Sequence, residues 1–241
     1  MSAWASQLRT EVALASRQGE QLLVSLGIPL LVLVFFSLVD VVPVPTERAV
    51  DYVAPATLAL AVMSTSMVSL GIGTGFERQY GVLKRLGASP LGTGRWVAAK
   101  TTLVVLTEVV QLAVLTGVAF ALGWRPPMAG WLPALAGLAL GTLAFAGIGL
   151  LIAGTLPGLV TLAVTNGLYL VLLLTGGMIV PVDELPGPMA AVSRVLPAAP
   201  LVEITTGSLT PDASVAPWAW ITLTLWAAAA PLAAVRWFRW E

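Results

Sequence analysis

The sequence predicts an all-α integral membrane protein with six membrane-spanning helices. Apolar residues make up 58% of the 241 residues and charged residues only 10%, whereas about a quarter of an average soluble domain is charged. The apolar residues form runs long enough to cross a hydrocarbon core of about 30 Å at 1.5 Å per helical residue. The predicted spans are residues 22–42, 54–75, 97–122, 131–152, 159–180 and 215–235.

An interfacial helix is predicted in residues 2–20, before the first span. Trp4 and Leu8 share one side of this helix, whereas Arg9 and Arg17 give the other side water-facing charges, as in helices that lie in the plane of a membrane. A cleaved signal peptide is the alternative interpretation. The apolar run that follows is about twice the length of a signal-peptide core, which favours the interfacial helix.

Hydroxyl side chains and methionines cluster at the centre of the second span, in residues 63–69. Such hydroxyls usually bond back to the preceding helical turn and allow close helix packing, which is the favoured interpretation for each single residue. The alternative is a substrate path, because methionine forms an adaptable apolar surface. The candidate path residues are Met63, Ser66 and Met67, with Asn166 and Tyr169 of the fifth span.

The third and fourth spans carry two different packing signals. Glu108 and Gln111 lie on one face of the third span, and a carboxyl group at this depth normally turns toward the interior of the bundle. Glu108 is either a proton site or a buried hydrogen-bond anchor; with no His and no second buried acid to relay protons, we favour the anchor. Gly137 and Gly141 begin a series of glycines in the fourth span, which indicates that a neighbouring helix approaches closely.

A short amphipathic helix is predicted in residues 76–88, between the second and third spans. At about 100° per residue, its apolar and charged side chains separate onto opposite arcs. The apolar arc consists of Phe76, Tyr80, Val82, Leu83 and Leu86, and the charged arc of Glu77, Arg78, Lys84 and Arg85. Gly87 and Pro90 end the helix. Such a helix either lies on anionic lipid or packs into a partner protein, and composition alone does not favour one of these.

Basic residues set the predicted orientation. Nine of the twelve Lys and Arg residues lie in the N-terminal segment, the loop between the second and third spans, and the C-terminal tail. The positive-inside rule therefore places these three regions in the cytoplasm, with both termini inside. Residues 181–209, which are rich in proline and contain an apolar run too short to span a bilayer, are predicted to form a re-entrant or interfacial segment on the outer side.

The residue types exclude several kinds of chemistry. The chain has no Cys and no His, so it lacks thiolate and imidazole metal ligands, and no metal site is predicted. An intramembrane hydrolase is close to excluded, because the serines within the spans have no base. No G-x-x-x-x-G-K-[ST] motif occurs, so the chain cannot hold ATP phosphates itself. A self-contained secondary carrier remains an alternative, although Glu108 is the single ionisable residue deep within a predicted span and no inverted repeat is visible.

Two motifs carry a family resemblance that covers essentially the whole chain. The loop after the second span reads E-R-x-x-G-x-L-K-R-L-x-A-S-P-L in residues 77–91, and the fifth span ends in G-G-x-x-x-P-x-x-x-L-P in residues 176–186. Together with six spans, these motifs resemble ABC-2 type permeases, the membrane subunits of bacterial ABC exporters such as drug-efflux and polyketide-resistance systems. The resemblance implies one transmembrane domain, residues 1–241, in the bacterial plasma membrane.

The resemblance also implies partners and a site. Residues 76–88 would be the coupling helix that docks on a separate cytoplasmic ABC ATPase subunit, which would bind ATP and Mg, so that this chain would itself be neither an enzyme nor a cofactor protein. The contact residues would be Phe76, Glu77, Arg78, Tyr80, Leu83, Lys84, Arg85, Leu86 and Pro90. A second copy or a sister permease would complete the path for a hydrophobic or amphipathic drug, lipid or natural product. Without an ATPase partner, the chain would instead be a secondary carrier or a lipid-interacting membrane protein.

Overall fold

The computed structural model of the protein describes residues 19–39, 46–87 and 92–239. These residues are largely helical, and no strand occurs among them. Most of the predicted interfacial helix, residues 2–18, lies outside the described residues, as do Pro90 and the side chain of Leu86.

Ten α-helices, one π-helical segment and two 3-10 turns make up the described part of the chain. The first half contains α1 (Gly19–Leu38), α2 (Ala49–Met63), the π-helical segment Ser64–Ser69, α3 (Leu70–Gln79), α4 (Val82–Gly87) and α5 (Gly92–Ala121). The second half contains α6 (Trp131–Thr155), α7 (Gly158–Thr175), α8 (Gly187–Val195), α9 (Ala198–Leu209) and α10 (Pro217–Trp237). The 3-10 turns are Met128–Gly130 and Val182–Glu184.

Five helical stretches of the described residues are long and apolar enough to cross a membrane. They are Ala49–Gln79, Ala98–Ala121, Met128–Thr155, Gly158–Thr175 and Pro217–Trp237. They correspond to the second through sixth predicted spans and make the chain a multi-pass membrane protein. The first predicted span corresponds to α1, whose described apolar part is the shorter stretch Leu26–Leu38. That the first predicted span also crosses the membrane, and the orientation of the bundle, stay predictions.

The loop after the second span differs from its prediction. The prediction of a single helix in residues 76–88 is wrong, because Phe76 still belongs to α3, which runs to Gln79 without a break from the membrane span. Gly81 then adopts a φ of 70°, a left-handed conformation that favours glycine and commonly ends helices. The chain therefore changes direction before α4 begins, and the residues on either side of Gly81 do not share one helical face.

Close backbone contacts place α6 at the centre of the bundle. A Cβ atom added at Gly147 would lie 2.6 Å from the carbonyl carbon of Ala230 in α10. One added at Gly149 would lie 2.7 Å from the backbone oxygen of Met67 in the π-helical segment. Because only glycine allows such approaches, the prediction that a neighbouring helix approaches the fourth span closely is confirmed. The glycines bring two neighbouring helices, rather than one, against α6.

The segment between the last two spans contains two short helices, α8 and α9. The α9 helix is largely buried, whereas α8 is largely exposed. Two bonds tie α8 to the spans, since the Ser193 hydroxyl donates to the carbonyl of Thr175 and the Trp226 indole donates to the carbonyl of Val195. The position of this helix pair relative to the membrane, including its predicted re-entrant character, stays a prediction.

Candidate functional site

The α4 helix is held from behind by a small apolar cluster. The Leu83 side chain is fully buried, next to the buried Trp96, and Leu150 and Phe238 pack against this pair. We call these four residues the α4 cluster. Leu83 was predicted to contact an ATPase subunit, but its side chain points into the chain and is fully buried there. Helical spacing shows which residues share one side of a helix, but it does not show whether that side packs against a partner or against the rest of the chain.

The outer side of α4 and the end of α3 form an exposed surface of mixed aromatic and basic character. Tyr80 is 68% exposed and stacks on the half-buried Phe76, with ring centroids 6.1 Å apart. Val82 is 37% exposed, and Lys84 and Arg85 are also exposed. We call these five residues the α4 surface. It contains four of the nine predicted contact residues, Phe76, Tyr80, Lys84 and Arg85, and adds Val82, which belonged to the predicted apolar arc.

Two further predicted contact residues have partners within the chain. The Lys100 ammonium group of α5 pairs with the Glu77 carboxylate, and the Arg78 guanidinium donates to the carbonyl oxygen of Ala153 at 2.9 Å. Ala153 lies in the last turn of α6, where backbone carbonyls lack helical partners and attract cations. Glu77 and Arg78 therefore tie the end of α3 to α5 and α6 and brace the α4 surface.

A buried polar seam crosses the membrane-spanning part of the bundle. The Thr65 hydroxyl of the π-helical segment donates to the Gln111 side-chain oxygen at 2.6 Å, and the Thr142 hydroxyl of α6 donates to a Glu108 carboxyl oxygen at 2.7 Å. Glu108 is only 5% exposed and Gln111 is buried. These two residues of α5 thus reach two neighbouring elements, which is the geometry that a hydrogen-bond anchor requires.

Four of the five predicted path residues are buried in the described part of the bundle. Met63, Ser66 and Met67 are fully buried, and Tyr169 is also buried. The Ser66 hydroxyl donates to the carbonyl of Val62 in the preceding turn at 2.6 Å, which supports the packing interpretation for this residue. Asn166 is half-buried, and its side-chain amide donates to the carbonyl of Leu162 at 2.9 Å.

A cleft of about 980 Å³ opens at the opposite end of the bundle from α4. Arg48, at the start of α2, forms a two-bond pair with Asp51 at 2.9 and 3.0 Å and donates to the carbonyl of Gly123 at 2.9 Å. The cleft is lined by five acidic residues, Glu47, Asp51, Asp183, Glu203 and Asp212, and by the two bases Arg48 and Arg194. No local sequence pattern predicts this cleft, because its walls come from widely separated parts of the chain.

Substitutions of Glu108 distinguish a hydrogen-bond anchor from a proton site. We expect Glu108→Gln to fold and to remain largely active, because an amide can still bond to Thr142 without the cost of a buried charge. Glu108→Leu removes the carboxyl acceptor of Thr142, whose hydroxyl can then bond only to the carbonyl of Leu138, and should lower the unfolding free energy by about 0.5–1.5 kcal/mol. Thermal unfolding in detergent and transport in vesicles would measure both effects. A folded but inactive Glu108→Gln protein would contradict the anchor role and favour a secondary carrier.

Comparison with known families identifies the chain. The family model described as ABC-2 type transporter matches residues 3–210. A comparison with curated proteins gave no match. The matched region contains α1 to α9, with the α4 surface and the polar seam, and ends before α10. Since this match covers most of the sequence and the helices have the length and apolarity of membrane spans, the chain belongs to the ABC-2 type transporter family and is a membrane-spanning permease component of an ABC transporter.

Proposed function

We propose that this permease is the membrane subunit of an ATP-driven exporter, and that a separate cytoplasmic ATPase subunit binds the α4 surface. Permeases of this family generally work with an ATPase subunit and often dimerise. They are transport components rather than catalysts. In this proposal the ATPase subunit holds ATP and Mg, and the membrane is the bacterial plasma membrane.

The observation that carries the proposal is the exposed α4 surface on a braced support. Tyr80 offers a large aromatic side chain of the kind that dominates binding energy at protein interfaces, while Lys84 and Arg85 can pair with acidic groups of a partner. Behind them, Leu83 is buried and Arg78 bonds to Ala153. A rigid support of this kind lets a force applied to α4 reach the membrane spans.

The proposed substrate is a hydrophobic or amphipathic drug, lipid or natural product. Met63, Ser66 and Met67 are fully buried within the described bundle and offer no surface to a substrate there. We therefore place the path along a face that a second membrane subunit, either a copy or a sister chain, would cover. The exposed apolar side of α7, with Leu162, Leu170 and the nearby Asn166, offers such a face.

A lipid-bound α4 is the second candidate, because the exposed Lys84 and Arg85 would also be attracted to anionic headgroups. In that arrangement Tyr80 would sit at the membrane interface rather than in a protein pocket. The two candidates differ in whether an ATPase subunit recognises Tyr80.

Binding of the ATPase subunit to permease variants tests the proposal. We expect Tyr80→Ala to weaken binding by at least about tenfold, the effect of losing one interface anchor. Lys84→Ala and Arg85→Ala should weaken it less, with a difference that shrinks as salt rises. Arg194→Ala is the matched control, since Arg194 is exposed far from α4 in an ion pair with Asp183.

The readouts are co-purification of the ATPase subunit and substrate-stimulated ATP hydrolysis, at matched expression in membranes. Wild-type binding and hydrolysis in the Tyr80→Ala, Lys84→Ala and Arg85→Ala proteins would refute docking on the α4 surface. A fluorophore on Lys84→Cys that responds to anionic lipid would then identify the lipid-bound arrangement.

A further inference from the structure

The α4 cluster brings together four separate parts of the chain. Leu83 comes from α4, Trp96 from α5 and Leu150 from α6, and Phe238 directly follows α10. The Trp96 and Phe238 ring centroids lie 6.3 Å apart, with 51° between the ring planes. Of these four, Phe238 is the residue that brings the last membrane span into contact with the loop region.

The chain turns inward where α10 ends. Trp237, the last residue of α10, is 58% exposed, whereas Phe238 is half-buried. A Cβ atom added at Gly154 would lie 2.8 Å from Cγ of the Phe238 ring, so a glycine at this position leaves the space that the ring occupies. The backbone N–H of Arg239 donates to the Gly154 carbonyl at 3.0 Å. The ring is thus held against the end of α6 by both packing and a hydrogen bond.

Packing decides how α4 is oriented. The helix has six residues, too few to be stable through its own hydrogen bonds. Among the side chains of α4 that the structure describes, Leu83 is the fully buried one, and with Leu83 in the α4 cluster, Lys84 and Arg85 face outward. Loss of the Phe238 ring would leave a cavity beside the cluster and so weaken the packing around Leu83.

We infer that Phe238 is a positioning residue that fixes the orientation of the α4 surface and connects it to the last span. This inference rests on the proposed function where it concerns the ATPase subunit. Phe238 lies beyond residues 3–210, which the family match covers. The role inferred for Phe238 therefore rests on the contacts seen in this structure and not on the family match.

The same contacts make α6 and α10 behave as one unit with α4. Gly147 brings the α6 backbone against Ala230 of α10, and Arg78 joins the end of α3 to Ala153 of α6. A displacement of α10 relative to the bundle would therefore act on α4 through Phe238 and Trp96. The last span is therefore one of the elements through which a docked partner would be coupled to the centre of the bundle.

Spin labelling of the purified chain tests this role without any partner. The chain contains no cysteine, so Lys84→Cys gives a single label on α4 in lipid nanodiscs. We expect Phe238→Ala to increase the mobility of this label at least severalfold, and Phe238→Tyr, which keeps the ring, to restore the parent spectrum. Trp237→Ala is the matched control, since it removes the neighbouring exposed aromatic side chain. A label on Gly187→Cys, at the far end of the bundle, should not change in any variant.

Unchanged Lys84→Cys mobility in Phe238→Ala, or equal mobilisation by Trp237→Ala, would overturn the inference. If Phe238→Ala does not accumulate, Phe238→Leu provides the same comparison with apolar bulk but no ring. Binding of the ATPase subunit is measured separately, and Phe238→Ala should weaken it while Phe238→Tyr restores it. If the ATPase subunit does not bind even the parent chain, the proposed function is refuted. If the mobility of the Lys84→Cys label is unchanged in Phe238→Ala, the positioning role is refuted.

Discussion

A methyl group at position 147 is expected to force α6 and α10 apart. In Gly147→Ala, the added carbon would lie 2.6 Å from the carbonyl carbon of Ala230 and 2.7 Å from Cδ of Pro231, and it would also meet the Pro231 nitrogen. Because these neighbours belong to the backbone and to a rigid ring, no side-chain rotation relieves the contact. Overpacking costs about 1–3 kcal/mol and occasionally more, and we expect the upper end of this range.

Thermal unfolding of the purified protein in detergent measures this effect against a matched control. Gly117 of α5 has no atom within 4 Å of an added Cβ, so Gly117→Ala introduces the same methyl group without a clash. It should be neutral or stabilise the helix by up to about 1 kcal/mol. Equal unfolding temperatures for the two variants would show that α6 and α10 can separate without cost.

The second large effect is expected for Leu83→Asp, which places a carboxylate in the α4 cluster. Leu83 is fully buried beside Trp96, and burial of an unpaired charge costs several kcal/mol. Detachment of α4 is the cheaper response, since the helix has only six residues. A cost of about 3 kcal/mol would raise the population of the detached loop more than 100-fold.

Limited trypsin digestion reports this detachment, because Lys84 and Arg85 are cleavage sites within α4. Cleavage should accelerate strongly in Leu83→Asp, since proteolysis requires local opening of the helix. Val82→Asp is the control, because it puts the same charge at a neighbouring position that is 37% exposed. Similar cleavage of the two variants would mean that Leu83 does not hold α4 in place.

These two sites illustrate what a single sequence can predict. Spans depend on composition over about 20 residues, and the glycines of α6 mark close approach wherever the partner helix lies. The prediction of a single helix in residues 76–88 was wrong because the spacing of apolar residues indicates which side of a helix they share, but not where a helix ends. The helix end depends here on the backbone conformation of Gly81. Leu83 was predicted to face a partner because an apolar side chain looks the same in either environment.

The remaining gaps concern residues that are distant in sequence. Phe238 and Gly154 meet through the fold, and no local pattern relates them. The cleft joins Arg48, Asp183 and Glu203 in the same way. Burial of Met63 and Met67 depends on how closely α6 approaches the second span. The hydroxyl and methionine content of one span does not predict the distance to a neighbouring helix.

The π-helical segment Ser64–Ser69 has a consequence for how the second span can twist. A wider turn holds about one residue more than an α-helical turn, so it acts as an inserted residue between Ala49–Met63 and Leu70–Gln79. If the wide turn moved along the helix by one residue, the backbone hydrogen bonds at that residue would change partners. The residue would rotate about the helix axis by about 100°, the angle between successive residues of an α-helix. The two halves of the span, Ala49–Met63 and Leu70–Gln79, can therefore swivel against each other while both stay helical, with the torsion confined to Ser64–Ser69.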